Sequence, residues 1–214
     1  MTSLGRIGAY GLARRLPYDA EVEYLESTGT QWISTGLKFQ KDIRIVLSVT
    51  YLDNNSWGRN AGSYEVFWGS SGNFWFGGGQ QVITRQNNVM YYLDLDFTAG
   101  AMVGKIDGNV ARSTTGTQPT GTYIGLFGRW SFNGAEPSTA KMRHGGITIY
   151  QGGNTLLDWQ AVRFTNELGQ AEGAMYDRLG TGGMNPDGTA RTDGLYRNRG
   201  TGSFLFGADK SNVL

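Results

Sequence analysis

The sequence predicts an all-β protein, an antiparallel two-sheet sandwich or jelly roll. Along residues 43–51 and 89–97 apolar and polar side chains alternate, which is the period of a half-buried strand. Shorter β-like runs follow one another between Gly- and Asn-rich turn signals. No long window keeps the helical period of about 3.6 residues. Strands without helices bury their apolar faces by packing as two facing sheets.

Residues 1–17 are predicted to form a basic arm in front of this domain. They carry Arg6, Arg14 and Arg15 and no acidic residue. Their apolar residues are interrupted by glycines, which disfavour a helix. We expect the arm to become ordered against its own domain or a neighbouring subunit, and a frayed terminus is the alternative. The domain itself is predicted over residues 18–208, followed by a short tail over 209–214.

The two long alternating segments are the clearest strands. In residues 43–51 the Ile, Leu, Val and Tyr side chains fall on one face. Residues 89–97 repeat the pattern and place Asp94 and Asp96 on the polar face, where we expect solvated side chains rather than a metal pair. Asp107-Gly108, between two short apolar runs, predicts a tight hairpin turn.

Composition excludes several classes of site. The chain has 214 residues, 34 of them Gly, with no Cys and one His, His144. Disulfides, thiolate metal sites, cysteine nucleophiles and sites built from two imidazoles are therefore excluded. The net charge of +1 provides no basic field for nucleic acid. No apolar run approaches the roughly 20 residues of a membrane span, so membrane insertion is not predicted.

Motifs near both ends of the chain resemble a known family. Residues 24–36 read YLESTGTQWISTG, and residues 157–163, 173–178 and 198–204 read LDWQAVR, GAMYDR and NRGTGSF. Their order resembles the opening and ending of a laminin-G-like, concanavalin A-like jelly-roll family of gut-bacterial and phage or prophage proteins. The resemblance covers nearly the whole domain.

The resemblance implies a jelly-roll fold but no particular activity, because that fold carries lectins, hydrolases and structural modules alike. Trp32 and Ser34 stand where the family usually has Tyr and Asp, and Gln160-Ala161 replaces a common Val-Pro. Trp32 and Trp159 lie on apolar strands within the motifs and are predicted to be in the core. Laminin-G-like domains often hold a rim calcium ion, but this sequence offers no ligand set for one, and no cofactor is predicted.

Tryptophans in polar segments are the candidate ligand contacts, because a flat aromatic face complements the C–H face of a sugar ring. Trp57 lies beside Arg59, and Trp130 lies beside Arg129, in segments predicted to be loops. These four residues form the predicted ligand site. The alternative is that the two tryptophans cover the core.

Glu21, Glu23 and Glu26 have a spacing close to the E-x-D-x-x-E catalytic strand of laminarinase-type glycoside hydrolases. A retaining mechanism needs two carboxylates about 5–5.5 Å apart. Glu21 and Glu23 share a strand face, whereas Glu26 needs a bulge to join them. Because the motif opens the domain instead of lying mid-chain, an edge-strand or arm contact explains it better. No catalytic residue is predicted.

The leading functional hypothesis is a non-catalytic, virion-associated module: a phage capsid, fibre or tail accessory protein. Its partners would be other virion or surface proteins, contacted through the arm, together with a glycan or a second copy of the chain. An autonomous carbohydrate-binding adhesin module is the alternative, and a glycoside hydrolase is the remote one. The N-terminus has no continuous apolar stretch, so we expect no signal peptide and a location at the virion or cell surface after cytoplasmic synthesis.

Overall fold

The computed structural model describes most of the domain in segments. These are residues 16–40, 42–53, 58–59, 67–70, 72–76, 80–98, 100–115, 123–131, 134–137, 140–180 and 192–210. Every regular element in these segments is a β-strand, as the sequence predicts. No helix there has the length and apolar character to cross a membrane.

The strands are numbered along the chain. The first half of the described elements consists of β1 (Ala20–Glu21), β2 (Leu25–Ser27), β3 (Ile33–Lys38), β4 (Ile43–Tyr51), β5 (Gly58–Arg59), β6 (Phe67–Ser70), β7 (Asn73–Phe76), β8 (Gln80–Thr84), β9 (Met90–Asp96) and β10 (Ala101–Ile106). The second half consists of β11 (Asn109–Thr115), β12 (Tyr123–Leu126), β13 (Gly128–Ser131), β14 (Gly134–Pro137), β15 (Met142–His144), β16 (Gly146–Gln151), β17 (Asn154–Thr165), β18 (Ala171–Asp177), β19 (Leu195–Tyr196) and β20 (Leu205–Phe206).

One large antiparallel sheet dominates the fold, in the order β11-β10-β9-β4-β16-β17-β18-β19. The two alternating segments of the sequence form β4 and β9, which are neighbouring interior strands of this sheet. Leu47 on β4 pairs with Leu93 on β9, and both point into the core. Ser48 and Tyr92, the next pair, point to the opposite side, which we call the outer face of the sheet. The alternation therefore sets which face of this sheet is buried.

The large sheet forks at Gly145, between β15 and β16. On the first side of the fork β15 pairs with β2, and β2 pairs with β20. On the other side β16 pairs with β17, and β1 continues along β17. A Cβ on Gly145 would lie 3.1 Å from both the Glu23 carbonyl oxygen and Ser48 Oγ, so a side chain there would crowd the chain that crosses the fork.

Three smaller sheets complete the fold: β3–β12, β13–β14 and β5-β6-β7-β8. Residues of β3, β7 and β12 pack on the inner face of the large sheet. Phe74 on β7 packs edge-on against Tyr51 and Tyr91 of the large sheet, with ring centroids 5.9 and 5.0 Å apart. Ile33 and Leu126, a pair on β3 and β12, are fully buried in the same core. The protein is therefore a β-sandwich whose core lies between the large sheet and the smaller ones.

The predicted Asp107-Gly108 turn and the two predicted core tryptophans are confirmed. Asp107 and Gly108 have φ values of 50° and 80°, as a two-residue hairpin turn requires. Trp159 is 2% exposed and packs against Tyr196 in a tilted contact, with ring centroids 4.2 Å apart. Trp32 is also buried.

A second apolar cluster lies away from the main core, on β17, β18 and β19. It consists of Val162, Phe164, Ala174 and Leu195, and Tyr18 and Tyr176 pack against it. Tyr18 contacts Tyr176 at a centroid distance of 4.9 Å. The Asp19 amide donates a hydrogen bond to the Arg163 carbonyl over 2.8 Å. The chain in front of β1 is thus anchored on the domain itself.

Candidate functional site

Part of the predicted ligand site and all of the predicted arm charges lie outside the described residues. These residues are Trp57, Arg6, Arg14 and Arg15. For the remaining predicted site residues, Arg59, Arg129 and Trp130, the structure describes the backbone.

The loop assignment of Trp130 is wrong. Arg129 and Trp130 lie on β13, which forms a hairpin with β14 and pairs Arg129 with Glu136 and Trp130 with Ala135. Arg59 lies on β5, paired with Trp68. The polar residues of both segments locally favour loops. Pairing with a neighbouring strand overrides this preference, β14 for the first segment and β6 for the second. The backbones of β5 and β13 approach each other, so two predicted segments meet in space.

The described residues also form a cleft of about 460 Å³ on the outer face, beside the fork. Its lining comes from the chain between β1 and β2, from β4, β9, β15 and the fork, and from the chain after β20: Glu23, Tyr24, Ser48, Val49, Thr50, Met90, Tyr92, Arg143, Gly145 and Lys210. This volume lies within the range of small-ligand pockets, about 300–1,000 Å³.

Exposed side chains of β9 form one wall of this outer cleft. Tyr92 is 57% exposed and Met90 is 53% exposed, although both lie on a central strand of the sheet. The backbone of Tyr92 is held in place, because its amide donates a 2.8 Å hydrogen bond to Asp107 Oδ1. A rigid backbone therefore presents a free aromatic face to solvent, which is what stacking on a ligand requires.

Arg143 on β15 is held on the opposite side of the outer cleft. Its Nε donates a 2.7 Å hydrogen bond to Glu26 Oε2. Its guanidinium carbon lies 4.4 Å from the centre of the Tyr24 ring. The ion pair and the cation–π contact together fix the plane of the guanidinium group.

A buried histidine, His144, lies beneath the floor of the outer cleft. Ser48 Oγ, in the cleft, accepts a 3.3 Å hydrogen bond from the Gly145 amide. Beneath it, His144 Nδ1 lies 2.8 Å from the Ser48 carbonyl oxygen, and Phe127 packs edge-on against the imidazole. A carbonyl only accepts, so Nδ1 carries the proton. Burial lowers the pKa of His144 to about 4, against the hydrogen bond to Ser48, so the imidazole is neutral at pH 7.

The three glutamates of the hydrolase-like spacing have different environments. Glu26 is in the ion pair with Arg143. Glu21 accepts a 3.4 Å hydrogen bond from the Tyr18 hydroxyl. Glu23 lines the outer cleft.

Asp94 and Asp96 lie on the outer face, as the alternation predicts. Arg44 donates two hydrogen bonds to Asp94, of 2.7 and 2.9 Å, and Lys105 lies 3.7 Å from it. Burial opposes ionisation of Asp96, but two hydrogen bonds from Thr98 and the nearby Arg44 hold its pKa below the usual value. Among the described residues, no group of three or more His, Asp and Glu side chains can hold a metal ion.

The two family-like motifs meet in a structural clamp. Gln31, 2% exposed, accepts hydrogen bonds from Ser27 Oγ and the Thr28 amide. Its Nε2 donates to the carbonyls of Thr201 and Ser203, each over 3.2 Å. The opening motif is therefore tied to the closing GTGSF segment, and these residues join the chain ends instead of lining the outer cleft.

Sequence reasoning missed the outer cleft as a unit. A signal for Tyr92 was present, because an aromatic residue on the polar face of an alternating strand has to be exposed or covered by another element. No comparable signal marks Arg143 or Lys210, whose proximity depends on the fork. Comparisons with protein-family models, curated proteins and solved structures found no match to this chain.

Proposed function

We propose that this chain is a non-catalytic jelly-roll module that recognises a glycan through the outer cleft. The observation that supports this most is the exposed Tyr92 ring in a cleft whose other walls carry polar side chains. A pyranose ring can stack its C–H face on the tyrosine while its hydroxyls bond to polar groups such as Thr50 and Glu23. The cleft is preformed by strands, so little conformational entropy is lost on binding.

The environments of the glutamates favour binding over hydrolysis. Glu26 is engaged by Arg143, and Glu21 interacts with the Tyr18 hydroxyl. A retaining glycosidase instead needs two carboxyl groups flanking one scissile bond. The binding screen below therefore also measures reducing-sugar release, and we expect none.

The test is binding to a panel of bacterial and host polysaccharides, compared between the wild type and Tyr92→Ala. We expect the variant to lose at least about fivefold in affinity, since a stacking contact contributes roughly 1 kcal/mol or more. Tyr150→Ala is the matched control, because Tyr150 lies on the outer face but outside the cleft. Its binding should equal that of the wild type.

Two results would contradict the proposal. One is a panel with no binding at millimolar sugar, and the other is unchanged binding by Tyr92→Ala. Binding that is lost in Trp57→Ala or Trp130→Ala and kept in Tyr92→Ala would instead favour the tryptophan segments of the sequence prediction.

Virion assembly is the second candidate function, and the anchored start of the domain favours it. Tyr18 covers the cluster around Phe164, and Arg163 bridges Asp19 and Asp209 at 3.8 and 2.8 Å. A basic arm that precedes this anchor can extend to a neighbouring subunit. In this proposal the protein acts at a virion or cell surface, where assembly through the arm and glycan recognition through the cleft are compatible.

A further inference from the structure

The two cations of the outer cleft, Arg143 and Lys210, differ from other cations of the outer face in how their charged groups are paired. Arg44 and Lys105 share Asp94, and Arg178 pairs with Asp158 over 2.8 Å. Within the described residues, the Lys210 ammonium has no ion pair and the two terminal nitrogens of Arg143 have no hydrogen-bond acceptor. Arg143 and Lys210 therefore have hydrogen-bond donors in the cleft without an acceptor among the described residues, whereas Arg44, Lys105 and Arg178 are paired with carboxylates.

Lys210 is placed in the cleft by its backbone. Its amide donates a 2.8 Å hydrogen bond to the Glu21 carbonyl, and the preceding Asp209 bridges to Val22. The residue therefore runs beside β1, and its side chain reaches the cleft that Arg143 enters from β15. Two cations from distant parts of the chain line the same cleft as a result.

Arg143 is preorganised for a planar anion. Glu26 occupies its Nε, and Tyr24 supports the guanidinium plane at 4.4 Å. The edge formed by the two terminal nitrogens matches the two oxygens of a carboxylate. Glu23 lines the cleft and Glu26 pairs with Arg143, so an anion would be held there by the unused nitrogens of Arg143 and Lys210 and not by a net positive charge.

We propose that the cleft takes an acidic sugar, a uronic acid unit of a polysaccharide. Its carboxylate binds between Arg143 and Lys210 while its ring stacks on Tyr92. This inference rests on the glycan-binding function proposed above and names the class of glycan. Charge-assisted hydrogen bonds to the carboxylate would give acidic sugars a higher affinity than neutral ones.

The experiment compares each of three uronate polymers with its own neutral form. The probes are polygalacturonate, alginate and hyaluronate, and the same polymers after reduction of the carboxyl groups to primary alcohols. Binding to the full chain is measured by calorimetry at low and at moderate salt. We expect at least one acidic polymer to bind about tenfold or more tightly than its reduced form, and to weaken with salt.

Two cation variants localise the effect. Lys210→Gln should reduce the preference for the acidic form several-fold and leave the fold intact, since its ammonium makes no ion pair within the described residues. Arg143→Gln combined with Glu26→Gln removes the guanidinium without leaving a lone carboxylate. Lys105→Gln is the control, because Lys105 lies on the same face outside the cleft and should keep the preference.

The outcomes separate this inference from the glycan-binding proposal. If a neutral glycan of the panel binds through Tyr92 while every acidic polymer binds no better than its reduced form, the acidic-sugar inference is wrong and glycan recognition stands. A preference that survives Lys210→Gln and the double variant also overturns the inference. If no polysaccharide binds at all, both proposals are wrong.

Discussion

At the scale of single residues, the buried His144 makes the stability of the domain depend on pH. It is fully buried against Phe127, and its pKa is lowered from 6.5 to about 4 because burial disfavours the charged imidazolium. Between these values the unfolded chain binds a proton that the native protein does not. The free energy of unfolding therefore falls as the pH drops from about 6.5 to about 4.

The predicted contribution of His144 across this range is on the order of 3 kcal/mol, at 1.36 kcal/mol per pKa unit. Urea unfolding of the wild type and His144→Gln at pH 4.5, 5.5 and 7 measures it. The difference between the two proteins should shrink as the pH falls, while carboxylate titrations cancel in the comparison. A difference that is constant with pH would show that His144 does not titrate as its burial requires.

At the scale of elements, the clamp between the two motifs holds the chain ends together. Gln31 joins Ser27 and Thr28 to the carbonyls of Thr201 and Ser203. Close packing also holds the two segments together, because a Cβ on Gly200 would collide with the Thr30 carbonyl oxygen. The residues of the clamp in both motifs therefore have a structural role.

Gln31→Glu tests the clamp with an almost isosteric change. The carboxylate would face two carbonyl oxygens to which the amide now donates, so we expect a loss of about 3 kcal/mol in unfolding free energy. Gln170→Glu, on the exposed turn between β17 and β18, is the control and should change stability little. Equal stability of the two variants would mean that the clamp contributes nothing net.

The sequence predicted the strands better than it predicted which strands pair with one another. The alternation of β4 and β9, the Asp107-Gly108 turn and the burial of Trp159 are encoded locally and are confirmed. The β13–β14 hairpin was missed, because Gly, Ser and Asn near Trp130 read as loop residues. Propensity is overridden there by pairing with a partner strand, which no local pattern reports.

At the scale of the whole molecule, the anchored residues 18 and 19 predict that the domain folds without the residues that precede them. Tyr18 and Asp19 are anchored on β17 and β18, so removal of residues 1–15 should leave the described domain folded. If the arm assembles the protein, light scattering should show an oligomer for the full chain and a monomer for the truncated one. The same mass for both would argue against self-assembly through the arm, and an unfolded truncated chain would show that the arm is part of the domain.

The sequence by itself determined that the protein is all-β, which faces of its long strands are buried and where its tightest turns lie. These properties depend on side-chain alternation over a few residues, which the chain carries locally. Only the tertiary structure decided the site. Glu23, Arg143 and Lys210 are far apart in the sequence and line one cleft because the large sheet forks at Gly145. Strand order brings them together, and strand order is set by the packing of the whole core.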